Sequence, residues 1–256
     1  MKSIGPLTSK RKMDISWKET ASYIAASLQL DAVKYADRWV KGRVLDVGCG
    51  EKPFFPLFHD KVLSYTGMDT PSTIHKNHNI EVYGNGAAIP FKGSQFDSVI
   101  STSVLEHVKE PQKVMNEMAR TLKKGGHLIL TTPFLYGLHE QPYDFFRYSK
   151  YGLAHIAKKS GFKNVNIIPF GGVMSVMFHL IGKYIAMALY GIREAIKGNR
   201  IDASGGFHAI KKSIVIQLIA FLPQGLYRLL YIMGLKKIDN LSAQFDPCFY
   251  LLIAKK

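Results

Sequence analysis

A short glycine-containing run after an apolar segment carries the clearest chemical signal in the 256-residue sequence. The segment Val44-Leu-Asp-Val-Gly-Cys-Gly50 predicts a β-strand that contains Asp46 and runs into Gly48-Cys49-Gly50. Glycines let the chain turn tightly and bring its backbone close to a ligand. Ligands of open α/β sheets bind at the carboxyl ends of strands, so this loop is a predicted cofactor site. Asp69, at the end of the next predicted strand, can accept hydrogen bonds from ribose hydroxyls.

The same loop argues against a dinucleotide cofactor. The pyrophosphate-binding pattern G-x-G-x-x-G requires a third glycine at position 53, where this chain has Pro53. An adenosyl cofactor without a pyrophosphate fits these residues better. Cys49 is interpreted as a small buried hydrophobe rather than a nucleophile, because nothing nearby in the sequence makes a Cys–His pair.

Strands and helices alternate up to about residue 168, which predicts a parallel sheet with right-handed crossovers. One helix is predicted over residues 15–41, and a second begins at Pro111 and ends at Gly125-Gly126. A third is predicted over Gly152–Ser160. Short apolar runs predict strands at Arg43–Val47, Leu63–Met68, Ile80–Tyr83, Phe96–Ser101, His127–Thr131, Val165–Ile168 and Phe249–Ala254.

Several short motifs follow one another along this part of the chain: Val44–Gly50, Asp69, Asn85–Phe91 with Phe96–Val99, Leu105–Val108 and Leu122–Gly126. In this order they resemble the motifs of class I S-adenosylmethionine-dependent methyltransferases of the type 11-like group. The resemblance implies an α/β fold, a Rossmann-like, doubly wound, mostly parallel seven-stranded sheet. It also implies methyl transfer as the reaction and S-adenosylmethionine as the cofactor.

The resemblance further implies roles for individual residues. Gly48 and Gly50 would pass close to the methionine part of the cofactor, with Asp46 positioning its ammonium group. Asp69 would hold the ribose hydroxyls. The other residues expected around the cofactor are Cys49 between the glycines, Asn85 and Gly86 at the adenine edge, and Ser101 and Thr102 on the methionine side. Asn85 stands where relatives often carry aspartate, and its amide oxygen is still an acceptor.

The segment Thr132–Tyr148, after the fifth predicted strand, is rich in both aromatic and ionisable residues. It should cover the mouth of the site, and aromatic walls with a few polar groups are typical of a pocket for a small molecule or sugar. A hydroxyl acceptor needs a base, for which His139 and His107 are the candidates. Tyr143 is a further catalytic candidate, and the predicted substrate-binding residues are Tyr136, Asp144 and Arg147.

A purely structural interpretation of this segment remains open. Asp144 and Arg147 have the i,i+3 spacing of a helical ion pair, and His107 has a capping or structural role as its alternative. In favour of a functional role, His139–Arg147 resembles a motif of methyltransferases associated with cell-surface polysaccharide and glycolipid gene clusters.

Residues 169–246 form a long excursion between the last two predicted strands. It holds two apolar segments, 171–192 and 213–235, with narrow polar stripes at Ser175, His179 and Lys183, and at Ser213, Gln217, Gln224 and Arg228. Three interpretations compete: a helical cap that buries the apolar arcs on the domain, a helix pair lying in the membrane interface, and true membrane spans. Basic residues flank both segments: Lys197, Arg200, Lys211, Lys212, Lys236 and Lys237.

Charge and cysteine content narrow the class of protein. The formal net charge is +15, of which +11 falls in residues 150–256, so the partner is expected to be anionic unless the charge only keeps an apolar region soluble. Nucleic acid is not favoured as the partner, because the basic residues interleave with aliphatic ones and no binding module is present.

Two cysteines, Cys49 and Cys248, exclude a disulfide scaffold and indicate a reducing compartment. No Cys/His spacing or carboxylate cluster predicts a metal.

We therefore predict a helical cap at 1–42, a cofactor-binding core at 43–168, an apolar and basic helical insertion at 169–246, and a final strand at 247–256. The predicted function is methyl transfer to a small or lipid-linked acceptor, a hydroxyl or carboxyl of a cell-envelope glycan precursor. The alternatives are C- or O-methylation of a quinone or other isoprenoid-type acceptor, and a non-enzymatic binding module at the membrane surface. The start of the chain lacks the apolar core of a signal peptide, which predicts a cytoplasmic protein, peripheral at the inner face of the membrane if residues 171–235 bind lipid.

Overall fold

The structure is a computed structural model that describes residues 23–71, 80–198 and 214–256. Its strands are β1 (Gly42–Val47), β2 (Val62–Asp69), β3 (Val82–Tyr83), β4 (Phe96–Thr102), β5 (Leu122–Pro133), β6 (Lys163–Phe170) and β7 (Phe249–Lys255). They form a seven-stranded sheet in the order β3-β2-β1-β4-β5-β7-β6. Only β7 runs antiparallel to its neighbours, β5 and β6. The predicted doubly wound, mostly parallel sheet is confirmed.

Seven helices are described: α1 (Tyr23–Tyr35), α2 (Phe55–Phe58), α3 (Pro111–Thr121), α4 (Lys150–Lys159), α5 (Val173–Ile196), α6 (Ile214–Leu230) and α7 (Lys236–Ser242). A 3-10 turn at Ala36–Trp39 follows α1, and another, Leu105–His107, follows β4. A π-helical stretch at Tyr231–Leu235 joins α6 to α7. Residues 15–22 of the first predicted helix lie outside the described residues.

The sheet is covered on both faces, as a parallel sheet requires. On one face α3 and α4 pack through side chains that include Val114, Met118 and Leu153 onto Val99 and Leu128. On the other face the packed side chains include Val33 from α1 and Ile100, Ile129 and Leu251 from the strands. These two apolar layers hold the carboxyl ends of β1, β2, β4 and β5 in fixed positions at one edge of the sheet.

One predicted boundary is wrong. Helix α3 ends at Thr121, and Leu122–Gly126 already belong to β5, with Leu122 paired to Phe96. Gly125 has a φ of +81°, and its N–H donates to the carbonyl of Lys256 at 2.8 Å. Pairing with the neighbouring strands therefore draws this segment into the sheet, and its glycines shape the strand rather than end the helix.

The insertion is helical, but its apolar arcs face outward. The buried face of α5 consists of Ser175, His179, Gly182 and Ala186. Large side chains on α5 and α6 are instead exposed, and these seven are exposed by 41–67%: Met177, Tyr184, Met187, Leu218, Leu222, Leu226 and Leu229. Of the three interpretations, a helical cap that buries these exposed side chains is not supported by the described residues, although Met174, Val176 and Phe178 of α5 do pack against the core. Ser213, the side chain of Gln217 and residues 199–212 lie outside them.

The polar stripe turns inward because its groups are paired there. Asp239 accepts hydrogen bonds from the amide of Ser175 at 3.0 Å, from the Tyr227 hydroxyl at 2.9 Å and from the Ser175 hydroxyl. The Gln224 side chain accepts from the amide of Ile24 on α1 at 3.0 Å. Buried polar groups are tolerated when they are hydrogen-bonded, so this network attaches the insertion to the core.

Two stretches, Val173–Ile196 and Leu218–Ser242, are long and apolar enough to cross a bilayer by length and composition. Only 22% and 17% of their most apolar windows are buried in the structure. These helices are therefore not core helices of the domain, and their outward faces expose apolar side chains.

Candidate functional site

The loops after β1 and β4 and the end of β2 meet at one edge of the sheet. Gly48 and Gly50 have φ values of +72° and +49°, and a Cβ on Gly48 would lie 2.4 Å from Cγ2 of Val104. The amide of Gly50 donates to Oδ2 of Asp69 at 2.8 Å. The structure thus brings together the glycines and the aspartate that the sequence placed around a cofactor.

Asp46 is buried with half of its carboxylate unused. Oδ2 accepts a hydrogen bond from the Tyr65 hydroxyl at 2.6 Å, whereas Oδ1 has no hydrogen-bond partner in the described chain. Burial raises the pKa of Asp46 to about 7. A buried acceptor without a partner is costly, so an incoming ammonium group would be stabilised there. The residues present therefore fit the amino-acid part of the expected cofactor.

The adenine-side residues lie on a turn. Oδ1 of Asn85 accepts a hydrogen bond from the amide of Ala87 at 2.8 Å, and Asn85 is exposed. Gly86 does not require its glycine for space, since a Cβ there would meet Val114 at 3.4 Å. The turn presents Asn85 at the sheet edge, where its side-chain oxygen already accepts a hydrogen bond from the backbone of the turn.

Two other predicted cofactor residues have structural roles. The Ser101 hydroxyl is buried and donates to the carbonyl of Val47 at 3.0 Å, tying β4 to β1, so Ser101 does not line the site as expected. Thr102, the next residue, is half-buried at the end of β4. Burial raises the pKa of Cys49 to about 12, so it is a protonated thiol, in agreement with its interpretation as a buried hydrophobe.

Glu106, which sequence reasoning missed, lies at the centre of the acceptor side. Its side chain is 0% exposed, and its Oε1 has no hydrogen-bond partner in the described chain. This oxygen lies 3.8 Å from Nε2 of His107 and 3.9 Å from Nε2 of His139. Burial raises the pKa of Glu106 to about 8. The signal in the sequence was an acidic residue directly before a histidine, just beyond a strand end.

Both imidazoles are oriented by their other nitrogen. Nδ1 of His107 lies 2.8 Å from the carbonyl of Tyr143, and Nδ1 of His139 lies 3.2 Å from that of Gly137. Carbonyls only accept, so each Nδ1 carries a proton, and in a neutral ring the lone pair is then on Nε2. Burial and the neighbouring His107 lower the pKa of His139. The predicted pair of histidines is therefore brought together, with ring centroids 4.7 Å apart.

Asp144 and Arg147 form a bidentate ion pair at 2.6 and 2.7 Å, although neither residue is helical. Asp144 also accepts from the amide of His139 at 3.0 Å. Burial raises the pKa of Asp144, but the hydrogen bonds from Arg147 prevail and lower it to about 2. Arg147 donates further to the carbonyls of Tyr136 and Gly137, both at 3.2 Å. This pair holds the loop and positions His139, as the structural alternative predicts, and the role of Asp144 and Arg147 in substrate binding stays a prediction.

The insertion forms one wall of this site. The His179 ring of α5 stacks on Tyr136 with centroids 5.1 Å apart and an angle of 19°. Lys183 lies against Gly137, where a Cβ would come within 2.6 Å of its Nζ. Burial lowers the pKa of His179 to about 4, and neither of its ring nitrogens has a partner in the described chain. Tyr143 is 60% exposed at the outer side of the loop.

Comparison with known proteins identifies relatives of this arrangement. A methyltransferase domain family matches residues 17–167. An uncharacterized protein of Methanocaldococcus jannaschii is 29% identical over 49% of this chain and 66% of its own length. An uncharacterized methyltransferase of Mycobacterium sp. strain KMS is 32% identical over 44% of this chain and 50% of its own length. The chain thus spans 37–66% of the length of such curated relatives.

Solved structures show the same fold at low sequence identity. An S-adenosylmethionine-dependent methyltransferase from Archaeoglobus fulgidus aligns over 94% of this chain and all of its own, with 18% identity and a TM-score of 0.53. Phosphoethanolamine N-methyltransferase 2 of Haemonchus contortus, with phosphomonomethylethanolamine and S-adenosylhomocysteine bound, aligns over 98% of this chain and 61% of its own. That pair is 18% identical with a TM-score of 0.53.

Proposed function

This chain belongs to the class I S-adenosylmethionine-dependent methyltransferases, and we propose that it methylates a hydroxyl or carboxyl of a small or lipid-linked acceptor, a glycan precursor of the cell envelope. The observation that carries the proposal is the edge of the sheet where Asp46, the glycine turn and Asp69 converge. The acceptor class rests on the composition of Thr132–Tyr148 and on the insertion beside it.

Residues of this chain account for cofactor binding. Asp46 would offer its unpartnered oxygen to an ammonium group, and Asp69 would present acceptors to ribose hydroxyls. Gly48 allows the tight turn between them, because a side chain there would collide with Val104. S-adenosylmethionine supplies an electrophilic methyl group on a sulfonium, and methyl transfer from it is an in-line displacement. Holding the acceptor in line is then most of the catalysis, which is the task of the loops after β4 and β5.

The acceptor side combines aromatic surface with a polar cluster. Tyr136 is held between the His139 and His179 rings, and Lys183 adds a positive charge beside Gly137. A hydroxyl acceptor must lose its proton, and the groups placed to promote this are Glu106, His107 and His139. An anionic glycan precursor would be attracted by Lys183 and oriented by the aromatic rings.

The outward faces of α5 and α6 support an acceptor that is lipid-linked. We place these faces in the interface of a lipid bilayer, because they combine exposed aliphatic side chains with basic residues at their ends: Lys197, Arg228, Lys236 and Lys237. The inward face of the same helix α5 contacts Tyr136, so a membrane-bound acceptor would be delivered next to the polar cluster. The same faces also suit a quinone or other isoprenoid acceptor, which is the second candidate substrate.

Calorimetric titration of S-adenosylhomocysteine tests cofactor binding. We expect the wild type to bind in the micromolar range and Asp69→Ala to bind at least about tenfold more weakly, since hydrogen bonds to a charged group contribute about 1.5–3 kcal/mol. Asp60→Ala is the matched control, because Asp60 precedes the opposite end of the same strand and its side chain is 89% exposed. Absence of binding by folded wild type would contradict the proposal.

Incubation with a labelled methyl donor and a membrane-lipid extract tests the acceptor. Label in an alkali-stable or ester-linked methyl group of the glycolipid fraction would support the proposal. Label in quinones would favour the isoprenoid alternative. Binding of S-adenosylhomocysteine with no transfer to any fraction would favour a non-enzymatic binding module.

A further inference from the structure

We propose that Glu106, His107 and His139 bind a divalent transition-metal ion that activates the acceptor oxygen. Their ligand atoms, one carboxylate oxygen and two imidazole nitrogens, all lie within 4.8 Å of one another. The sequence predicts no metal, because these residues are separated along the chain and their spacing matches no familiar motif.

The distances suit a site that closes slightly on the ion. Oε1 of Glu106 lies 3.8 and 3.9 Å from the two Nε2 atoms, too far for a hydrogen bond to either. Ligands at 2.0–2.2 Å in tetrahedral geometry are about 3.4 Å apart. Oε1 would therefore have to approach each Nε2 by about half an ångström, and the two Nε2 atoms, which lie within 4.8 Å of each other, would have to close to a similar separation.

The three atoms are all electron-pair donors facing one space. Each histidine directs its Nδ1 to a backbone carbonyl, so both Nε2 lone pairs point toward the cluster. Oε1 of Glu106 is buried and without a hydrogen-bond partner in the described chain, and it faces the same two nitrogens. A divalent cation bound between the three atoms would give the buried Oε1 of Glu106 the partner that it lacks in the described chain.

Surrounding contacts are those that support a metal site. Metal-binding histidines usually donate their other N–H to a carbonyl or carboxylate, which fixes the ring and its tautomer. His107 does so to Tyr143, and His139 lies near both the Gly137 carbonyl and Oδ2 of Asp144, the latter at 3.3 Å. The buried Asp144–Arg147 ion pair therefore positions a ligand, which explains why it is built into this loop.

Two histidines and one carboxylate with room for further ligands are typical of catalytic zinc and non-haem iron sites. An acceptor hydroxyl bound to such an ion would lose its proton to solvent more readily, since divalent cations lower the pKa of bound oxygen. This role rests on the proposed methyltransferase function, whereas the binding of the ion does not.

The test is metal binding by tag-free protein, measured by calorimetry with Zn²⁺ and by the visible absorption spectrum with Co²⁺. We expect one equivalent of either ion and a Co²⁺ spectrum with the intensity of a four- or five-coordinate site. Glu106→Gln, His107→Ala and His139→Ala should each weaken Zn²⁺ binding by about tenfold or more. His155→Ala, which removes an exposed histidine on α4, is the matched control and should bind like the wild type.

Three outcomes would overturn the inference: no stoichiometric binding by the wild type, equal binding by the Glu106→Gln and wild-type proteins, or loss of binding in His155→Ala. Thermal unfolding checks that each variant is folded, and the Co²⁺ spectrum of the wild type tests the site without any substitution.

Titration of the same samples with S-adenosylhomocysteine separates this inference from the proposed function. If the cofactor analogue binds and Zn²⁺ does not, only the metal site is refuted. If Zn²⁺ binds and the analogue does not, the methyltransferase proposal fails and the metal site stands.

Discussion

Two buried carboxylates, Asp46 and Glu106, each have one oxygen without a hydrogen-bond partner in the described chain. They lie in the loops or strand ends of β1 and β4, neighbours in the sheet. Burial raises the pKa of both. A protein keeps such costly groups where a ligand compensates them, so at the residue scale these atoms mark the cofactor side and the acceptor side of one site.

Asp46→Asn should stabilise the free protein more at pH 8 than at pH 5. The folded-state pKa is about 7 against an unfolded value near 3.8, so the folded chain binds the proton more tightly. The stabilising contribution of the protonated group is present at low pH and is lost as the pH rises from about 4 to about 7. Asparagine keeps an acceptor for Tyr65 and removes the charge, so the gain in Tm is expected to be several degrees at pH 8 and smaller at pH 5.

The control for this change is Asp60→Asn, at an exposed carboxylate, which should leave Tm unchanged at both pH values. A Tm difference for Asp46→Asn that is equal at pH 5 and pH 8 would refute the assigned cause. The same substitution should weaken the binding of S-adenosylhomocysteine, because a neutral amide pairs less well with an ammonium group.

At the element scale, helix α5 connects the insertion to the core of the domain. Its inner face packs on α6 at Gly182, where a Cβ would lie 2.8 Å from the carbonyl of Ala220. On the same face, the amide of Ser175 donates a hydrogen bond to Asp239, and the His179 ring stacks on Tyr136. Small and polar residues therefore form its fully buried face, Met174, Val176 and Phe178 pack beside them, and further apolar residues remain exposed.

Gly182→Val should lower Tm by several degrees. The added side chain meets backbone rather than a flexible chain end, and overpacking typically costs about 1–3 kcal/mol. The titration with S-adenosylhomocysteine should be unchanged, since α5 is outside the cofactor loops. Ala188→Val, at an exposed position of the same helix, is the control for the β-branched side chain alone. Equal Tm values for the two variants would show that α5 and α6 do not pack closely.

At the scale of the whole molecule, positive charge and exposed apolar surface occur together. The formal charge is +15, and the exposed side chains of α5 and α6 lie next to basic residues at the helix ends. Electrostatic attraction to an anionic bilayer, about 1 kcal/mol per basic residue near the surface, adds to the burial of apolar area. We therefore expect a membrane-bound protein rather than one freely dissolved.

Leu222→Asp should reduce co-sedimentation with vesicles of phosphatidylglycerol and phosphatidylcholine, because it places a charge among apolar side chains that enter the interface. Leu222 is 67% exposed in the structure, so the change should not lower Tm. Leu63→Asp is the matched control, an 85% exposed leucine on β2 that should bind vesicles like the wild type. Equal loss in both variants, or no vesicle binding by the wild type, would refute this orientation.

Much of the cofactor side could be predicted from the sequence. Strand β1, its glycine turn and Asp69 lie on contiguous or regularly spaced segments, and a strand followed by glycines has few ways to fold. The alternation of strands and helices predicts the parallel part of the sheet, since crossovers are right-handed, but not the position of β7, which lies antiparallel between β5 and β6. Ser101 shows what such reasoning misses. It lies near the carboxyl end of β4, as predicted, but its hydroxyl donates a hydrogen bond to the neighbouring strand β1.

The sequence by itself determined the alternation of strands and helices, the cofactor loop and the polar stripe of α5, because these depend on local periodicity and on residues close together in the chain. The seven-stranded sheet was what the resemblance of its motifs implied. Only the tertiary structure decided that Glu106 faces His107 and His139, that Arg147 supports the loop, and that the insertion turns its polar stripe inward. The contacts of Glu106 with His139 and of the α5 stripe with Asp239 and Tyr136 join residues far apart in sequence through packing. Which face of an amphipathic helix is buried depends on what it meets, and here it meets hydrogen-bonding partners and the Tyr136 ring.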